Sequence, residues 1–95
     1  MTDFTARPTL TIYRRPGCHL CDDAELLLRD ELAQRARSGH GPIDVQHIDI
    51  SADPELERRY RRLIPVFRIG HEESELVTSE RQIREFLEHA LRGPT

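Results

Sequence analysis

The chain has no lysine, and all fourteen of its basic residues are arginine. We interpret that absence as a coding bias without chemical meaning. Positive charge is not in excess either, because the formal net charge is −3 at pH 7. Such a balance gives no bulk attraction to nucleic acid or to anionic lipid. Long apolar runs are also missing, and no segment approaches the length that spans a membrane.

The first residues lack the apolar segment of a secretory signal peptide, so we expect a cytoplasmic protein. Cysteine is scarce, with two residues in 95. In the cytoplasm, paired cysteines are more often catalytic or metal-binding than structural. A chain of this length suits one small domain with one core. We find no repeat, and we predict a single domain over 1–95 with tails at 1–8 and 93–95.

The two cysteines, Cys18 and Cys21, lie two residues apart, directly after a short apolar strand and at the start of a predicted helix. Free N–H groups and the helix dipole stabilise negative charge at a helix start. We therefore expect Cys18 to be favoured as the thiolate, which is the form that attacks disulfides. Residues at i and i+3 share a helix face, so the two sulfurs can approach bonding distance. The alternative is a pair of buried, inert thiols, but such thiols more commonly lie on an apolar stripe.

The order of predicted elements is β-α-β-α-β-β-α. A right-handed crossover would make the first two strands parallel, and the short turn at Gly70 would make the last two an antiparallel hairpin. In the second strand the apolar phase flips at His47, which favours a strand buried on both faces. The pattern predicts an α/β fold with a four-stranded mixed sheet flanked by helices. The predicted strands are 9–13, 43–50, 66–69 and 75–78, and the predicted helices run from about Cys18 to Arg37, from Pro54 (capped by Asp53) to Ile64-Pro65, and from the Ser79 cap to Gly93.

Two segments carry a resemblance to a known family. The run from Tyr13 to Cys21 resembles the strand-to-active-site segment of the thioredoxin superfamily, and more closely its glutaredoxin-like branch. Ile64-Pro65-Val66 is similar to the cis-proline segment of that family, and the element order agrees. The resemblance covers about Leu10 to Leu91 and extends to small bacterial glutaredoxin-like proteins. It implies the thioredoxin/glutaredoxin fold and a thiol–disulfide oxidoreductase.

The resemblance also implies roles for individual residues. Cys18 would attack the substrate disulfide, and Cys21 would resolve the mixed disulfide. A cis bond at Ile64-Pro65 would turn the Ile64 backbone toward the sulfurs, where an extended substrate could pair with it. His19 and Leu20, between the cysteines, occupy positions that tune the redox potential in this superfamily. His19 either supports the thiolate or is an exposed neighbour with modest influence, and the sequence leaves both alternatives open.

Arg15 and Arg62 lie where glutaredoxins place basic residues that bind glutathione. The alternative for Arg15 is a solvated surface arginine, and for most of the basic run that contains Arg62 it is a polar helix face. Glutaredoxins usually hold the other end of glutathione with a double glycine, which Val77-Thr78 replaces here. The candidate electron donors are therefore glutathione, another low-molecular-weight thiol and a thioredoxin-type protein. The expected substrate is a disulfide-containing protein or small molecule.

We expect no tightly bound cofactor, no metal site, no nucleic-acid or membrane partner, and a monomer. The arginine-rich run 58–62 contains one aromatic residue, Tyr60, and does not indicate a nucleic-acid patch at this net charge. Two cysteines cannot by themselves fill a four-coordinate zinc site. The alternative function is a metal-binding, iron–sulfur or redox-sensing module. In it, a dimer would share a cluster through Cys18 and external thiols, since such clusters take thiolate ligands.

Overall fold

A computed structural model describes residues 7–92. The predicted tail residues 1–6 and 93–95, and with them the predicted helix end at Gly93, lie outside the described residues. Over the described range, no helix is both long enough and apolar enough to cross a membrane.

The sheet is mixed, and β1 lies inside it. Strand β1 pairs in parallel with β2 and antiparallel with β3, and β4 completes the order β2-β1-β3-β4. The predicted α/β fold, with a four-stranded mixed sheet and flanking helices, is confirmed. The elements are β1 (Thr9–Arg14), α1 (His19–Arg37), β2 (Asp44–Asp49), a 3₁₀ turn (Ile50–Ala52), α2 (Pro54–Tyr60), β3 (Val66–Ile69), β4 (Glu72–Ser74) and α3 (Glu80–Ala90).

The larger apolar cluster packs α1 and α3 against one face of the sheet. Ile12 of β1 is fully buried there, and Phe67 meets Phe86 edge to face with ring centroids 6.5 Å apart. At the rim, the buried carboxylate of Glu31 pairs with Arg84 at 3.2 Å and joins α1 to α3. The other buried members are Leu10, Ala24, Leu28, Ile69, Val77, Ile83 and Leu87.

A smaller cluster lies on the opposite face, because neighbouring residues of a strand point to opposite sides and Tyr13 follows Ile12. Tyr60 of α2 stacks on Tyr13 with ring centroids 4.4 Å apart. Its hydroxyl donates to Glu73 at 2.6 Å. Burial, reinforced by that hydrogen bond, raises the pKa of Tyr60 to about 12. The other buried members are Ile50 and Val66.

Contrary to the prediction from the sequence, strand β2 is not buried on both faces. It is an edge strand over Asp44–Asp49 with most side chains exposed, and Val45 is 36% exposed, so burial on both faces is wrong. The flanking apolar residues lie outside the strand. Ile43 packs against the larger cluster before the strand begins, whereas Ile50 is buried in the smaller cluster after it ends. The apolar phase flips because Ile43 packs on one face of the sheet and Ile50 packs on the other.

The fourth strand is also displaced from the predicted segment 75–78, which is wrong. Gly70, with a φ of 60°, permits a tight turn, so Ile69 pairs directly with Glu72 and β4 ends at Ser74. Val77 is buried for a different reason. Its N–H donates to the carbonyl of Pro65 at 3.1 Å, and its side chain docks into the larger cluster.

Candidate active site

The two cysteines lie where β1 passes into α1. Gly17 turns the chain with a φ of 77°, a left-handed conformation that glycine adopts readily. Cys18 is then the N-cap of α1, and its sulfur accepts a hydrogen bond from the backbone N–H of Cys21 at 3.1 Å. An acceptor at the N-cap faces the free N–H groups of the helix. This position stabilises negative charge on the Cys18 sulfur when the protein is reduced.

Cys18 and Cys21 form a disulfide in this structure, and their Cα atoms are 5.2 Å apart. The two sulfurs differ in access to solvent, because Cys21 is fully buried and Cys18 is partly exposed. An external thiolate attacks the sulfur that it can reach. The geometry of the pair fits a redox role.

Ile64 and Pro65 lie at the same end of the sheet as the cysteines. Strand β3 is antiparallel to β1 and pairs Val66 with Tyr13, so the residues just before β3 lie beside those that lead out of β1. The Ile64–Pro65 peptide bond is cis. The N–H of Ile64 donates to the carbonyl of Tyr60 at 3.2 Å. The carbonyl of Ile64 has no hydrogen-bond donor within residues 7–92, so a substrate strand would find one free backbone group on Ile64 instead of two.

Arg14, the last residue of β1, ties the strand to the start of α1. Its guanidinium donates to Asp22 at 2.7 Å and also pairs with Glu25. The hydrogen bond to Asp22 raises the pKa of Arg14. His47 of β2 contacts the other oxygen of Glu25 at 3.2 Å. This network joins the end of β1 to the first turns of α1 and to β2. The sequence does not indicate it, because the resemblance falls on the neighbouring Arg15.

The guanidinium of Arg15 already has a carboxylate partner within the protein. Its guanidinium forms an ion pair with Glu57 of α2, in which the two side chains are 38% and 30% exposed. The pair is incompletely satisfied, since Arg15 Nε and Glu57 Oε1 are buried without a hydrogen-bond partner in the structure. In the sequence Glu57 is an ordinary acidic residue of a first helical turn, so nothing marks it as this partner. A carboxylate ligand of Arg15 must displace Glu57 or share the guanidinium with it.

Arg62 lies just beyond α2 and is exposed, with no carboxylate partner among residues 7–92. Its neighbours are other arginines. Arg58 pairs with Glu55 at 2.6 Å, and Arg59 lies over the ring of Tyr60 at 5.1 Å from the centroid. The two predicted glutathione-binding arginines thus differ, because Arg15 is paired and Arg62 is not. A pocket of about 390 Å³ is lined by Arg58, Arg59, Arg61, Arg62 and Leu63.

The residues between the cysteines are both at the surface. Leu20 is 51% exposed, and His19 is exposed and makes no hydrogen bond or ion pair within the described range. This placement matches the alternative in which His19 is an exposed neighbour. The effect of either side chain on the redox potential stays a prediction.

The backbone N–H groups of Val77 and Thr78, which replace the double glycine, and of the preceding Leu76 are all hydrogen-bonded. The N–H of Leu76 donates to Leu63, and the N–H of Val77 donates to Pro65, at 2.8 and 3.1 Å. The N–H of Thr78 donates to the side-chain oxygen of Gln82 at 2.8 Å. A ligand carboxylate would find these three donors occupied.

Metal ligands are not gathered in the part of the chain that the structure describes. No group of three or more His, Cys, Asp or Glu side chains there is placed to hold a metal ion. An iron–sulfur cluster bound through Cys18 would need its other ligands from outside this chain, as that alternative already requires.

Comparison with known proteins finds similarity over nearly the whole chain. It matches the family described as "Glutaredoxin-like domain (DUF836)" over residues 9–92. Among solved structures it is similar to protein XcR50 from X. campestris, with 32% identity, 85% of this chain and 97% of that chain covered, and a TM-score of 0.65. It shares its fold with protein Ne2328 from Nitrosomonas europaea, at 24% identity, 90% and 98% coverage, and a TM-score of 0.61. No curated protein matches.

Proposed function

The chain belongs to the Glutaredoxin-like domain (DUF836) family, and from that premise we propose that it is a thiol–disulfide oxidoreductase working through Cys18 and Cys21. One observation carries the proposal. A partly exposed sulfur at a helix N-cap, Cys18, is disulfide-bonded to a fully buried one, Cys21. The exposed sulfur has the surroundings of a thiolate nucleophile, and the buried sulfur is accessible only to its neighbour.

The reaction proceeds in two exchanges. In the reduced protein, the Cys18 thiolate attacks one sulfur of a substrate disulfide, forms a mixed disulfide and releases the first substrate thiolate, which takes up a proton. Cys21 then loses its proton and attacks the Cys18 sulfur. This step forms the Cys18–Cys21 disulfide and releases the second substrate thiol. The substrate gains two electrons and two protons, and an external dithiol or two monothiols return them to the protein.

The substrate lies beside Ile64 and Pro65 in this proposal. The free carbonyl of Ile64 accepts one backbone hydrogen bond from a substrate chain in extended conformation, in the manner of a strand added to a sheet edge. Pro65 is fully buried and keeps the segment in place. The support for this arrangement is the sheet register, which brings the segment to the end of β1 that leads to the cysteines.

The favoured electron donor is a dithiol protein of the thioredoxin type. Glutathione would have to compete with Glu57 for Arg15, and it would find the N–H groups of Leu76, Val77 and Thr78 occupied. Each hydrogen bond lost to a charged group costs about 1.5–3 kcal/mol, or roughly ten- to a hundredfold in affinity. Arg62 remains available to one glutathione carboxylate, so we expect weak use of glutathione.

The test compares two reducing systems on the same mixed-disulfide substrate. One contains glutathione with glutathione reductase, and the other contains thioredoxin with its reductase. We expect faster turnover with thioredoxin, and we expect the Cys21→Ser variant to retain its substrate as a trapped mixed disulfide. Turnover with glutathione equal to that of an ordinary glutaredoxin would contradict the assignment of the donor. No turnover with either system would contradict the proposed function.

A further inference from the structure

Among residues 7–92, Leu76 is the one non-glycine residue with a positive φ, at 50°. The left-handed region is unfavourable for a residue with a Cβ atom, and leucine has no side-chain oxygen to compensate by bonding locally. Residues held in such conformations persist only where the surrounding structure imposes them, and they concentrate at binding sites. The structure around Leu76 must therefore hold it in this conformation.

Two hydrogen bonds impose it. The N–H of Leu76 donates to the carbonyl of Leu63 at 2.8 Å. The carbonyl of Leu76 accepts from the side-chain amide of Gln82 at 3.2 Å. The side-chain oxygen Oε1 of Gln82 also accepts from the N–H of Thr78 at 2.8 Å, so one side chain of α3 holds the backbone on both sides of Val77. The backbone of Leu76 is therefore held at both its N–H and its carbonyl.

The side chain of Leu76 does not contribute to the core. Val77, the next residue, is fully buried, whereas the side chain of Leu76 is 48% exposed. An apolar side chain has thus been placed at the surface on a backbone that costs free energy to maintain. A glycine or an asparagine would satisfy the same two backbone hydrogen bonds with less strain. The side chain itself is the feature that needs a function.

The place of Leu76 in the sheet indicates that function. The segment 76–77 is bonded to the segment 63–65, and β3, which follows it, is paired with β1 at the end that leads to Cys18. Leu76 is thus two strand spacings from the end of β1, or about 10 Å. Leu20, between the cysteines, is a second exposed leucine at this end. The free carbonyl of Ile64 belongs to the same segment, 63–65, to which Leu76 is hydrogen-bonded.

We propose that Leu76 is a substrate-contacting residue that selects polypeptide substrates with an apolar side chain within about three residues of the reactive cysteine, since an extended chain covers about 3.3 Å per residue. The inference rests on the proposed function and names the substrate class of the same site. A disulfide flanked by polar residues has no apolar side chain that can pack against Leu76. Glutathione is such a thiol, because the groups beside its cysteine are polar and charged.

The test uses three disulfide substrates. Two are peptides that differ only by leucine or serine three residues from the cysteine, and the third is a small symmetric disulfide that reports the exchange chemistry alone. Leu76→Asn removes the apolar side chain but keeps a residue that tolerates the left-handed conformation. Leu26→Asn is the matched control, since Leu26 is 56% exposed on α1 and lies outside the cysteine motif.

We expect the unmodified protein to favour the leucine peptide through KM. Leu76→Asn should lose about 3- to 10-fold of that preference, which corresponds to covering roughly half of a leucine side chain. Its turnover of the small disulfide should be unchanged, and its thermal midpoint should be equal to or above that of the unmodified protein. Leu26→Asn should keep the preference.

Three outcomes would overturn the inference while leaving the proposed function intact. The first is equal use of both peptides by the unmodified protein alongside normal turnover of the small disulfide. The second is an equal loss on all three substrates in Leu76→Asn, which would make the residue merely structural. The third is a lower thermal midpoint in Leu76→Asn. If the unmodified protein turns over none of the three, the proposed function fails and this inference fails with it.

Discussion

Replacing Glu57 by glutamine should improve the use of glutathione, because it releases Arg15 from its ion pair. The glutamine keeps the size of the side chain and removes its charge. Ion pairs between partly exposed groups contribute about 0.2–1 kcal/mol, and this pair, at 38% and 30% exposure, is of that kind. A glutathione carboxylate no longer has to compete with Glu57 for the guanidinium. We therefore expect KM for glutathione to fall by about 1.5- to 5-fold.

A matched control lies on the same helix. Glu55→Gln makes the same change of charge two residues earlier, but Glu55 pairs with Arg58, and those side chains are 78% and 67% exposed. The assay is glutathione-dependent reduction of a small mixed disulfide, coupled to glutathione reductase, at low and at high salt. Glu57→Gln should lower KM more at low salt, because salt screens the attraction. Glu55→Gln should have no measurable effect.

The comparison of these two variants shows whether Arg15 binds a carboxylate of glutathione. If both lower KM equally, the gain comes from net charge, and Arg15 is a structural arginine that holds α2. If neither changes KM, Arg15 does not bind the carboxylate, and its position before Cys18 serves only the ion pair with Glu57.

Two further predictions concern the N-cap residue Cys18 and the buried residues Cys21 and Tyr60. Iodoacetamide should label Cys18 of the reduced protein faster than Cys21 at neutral pH, and the opposite order would reverse the assigned roles. The raised pKa of Tyr60, about 12 against an ordinary 10, makes its neutral hydroxyl a source of stability that is complete below pH 10 and lost as the pH rises toward 12. Between pH 10 and 12 the free energy of unfolding should fall by up to about 2–3 kcal/mol more in the oxidised unmodified protein than in Tyr60→Phe. Denaturant titration at each pH measures this difference. Equal falls in the two proteins would show that Tyr60 does not contribute.

Local signals in the sequence predict much of the fold. Asp53 and Ser79 cap α2 and α3 as their spacing indicates, and Cys18 caps α1. A cap is satisfied by N–H groups two or three residues away, so the sequence contains both partners. For the same reason β3, bounded by Pro65 and Gly70, lies at the predicted residues.

The errors and the missed contacts arise where distant parts of the chain determine the outcome. The edge position of β2 depends on which strand pairs with β1, and the apolar residues that flank β2 suggest burial instead. The pairing of Arg15 with Glu57 joins residues 42 positions apart. Val77 resembles a strand residue because it is apolar and follows a turn, yet its N–H bonds to the carbonyl of Pro65 and its side chain is buried in the larger cluster. These contacts depend on topology, which sequence periodicity does not specify.

The most direct test of the central claim follows the sulfur chemistry itself. A peptide disulfide is incubated with the reduced unmodified protein, with Cys18→Ser and with Cys21→Ser, and the products are identified by mass spectrometry. We expect turnover by the unmodified protein, no adduct on Cys18→Ser, and a mixed disulfide on Cys18 that accumulates in Cys21→Ser. Retained turnover by Cys18→Ser, or an adduct on Cys21 in that variant, would contradict this expectation.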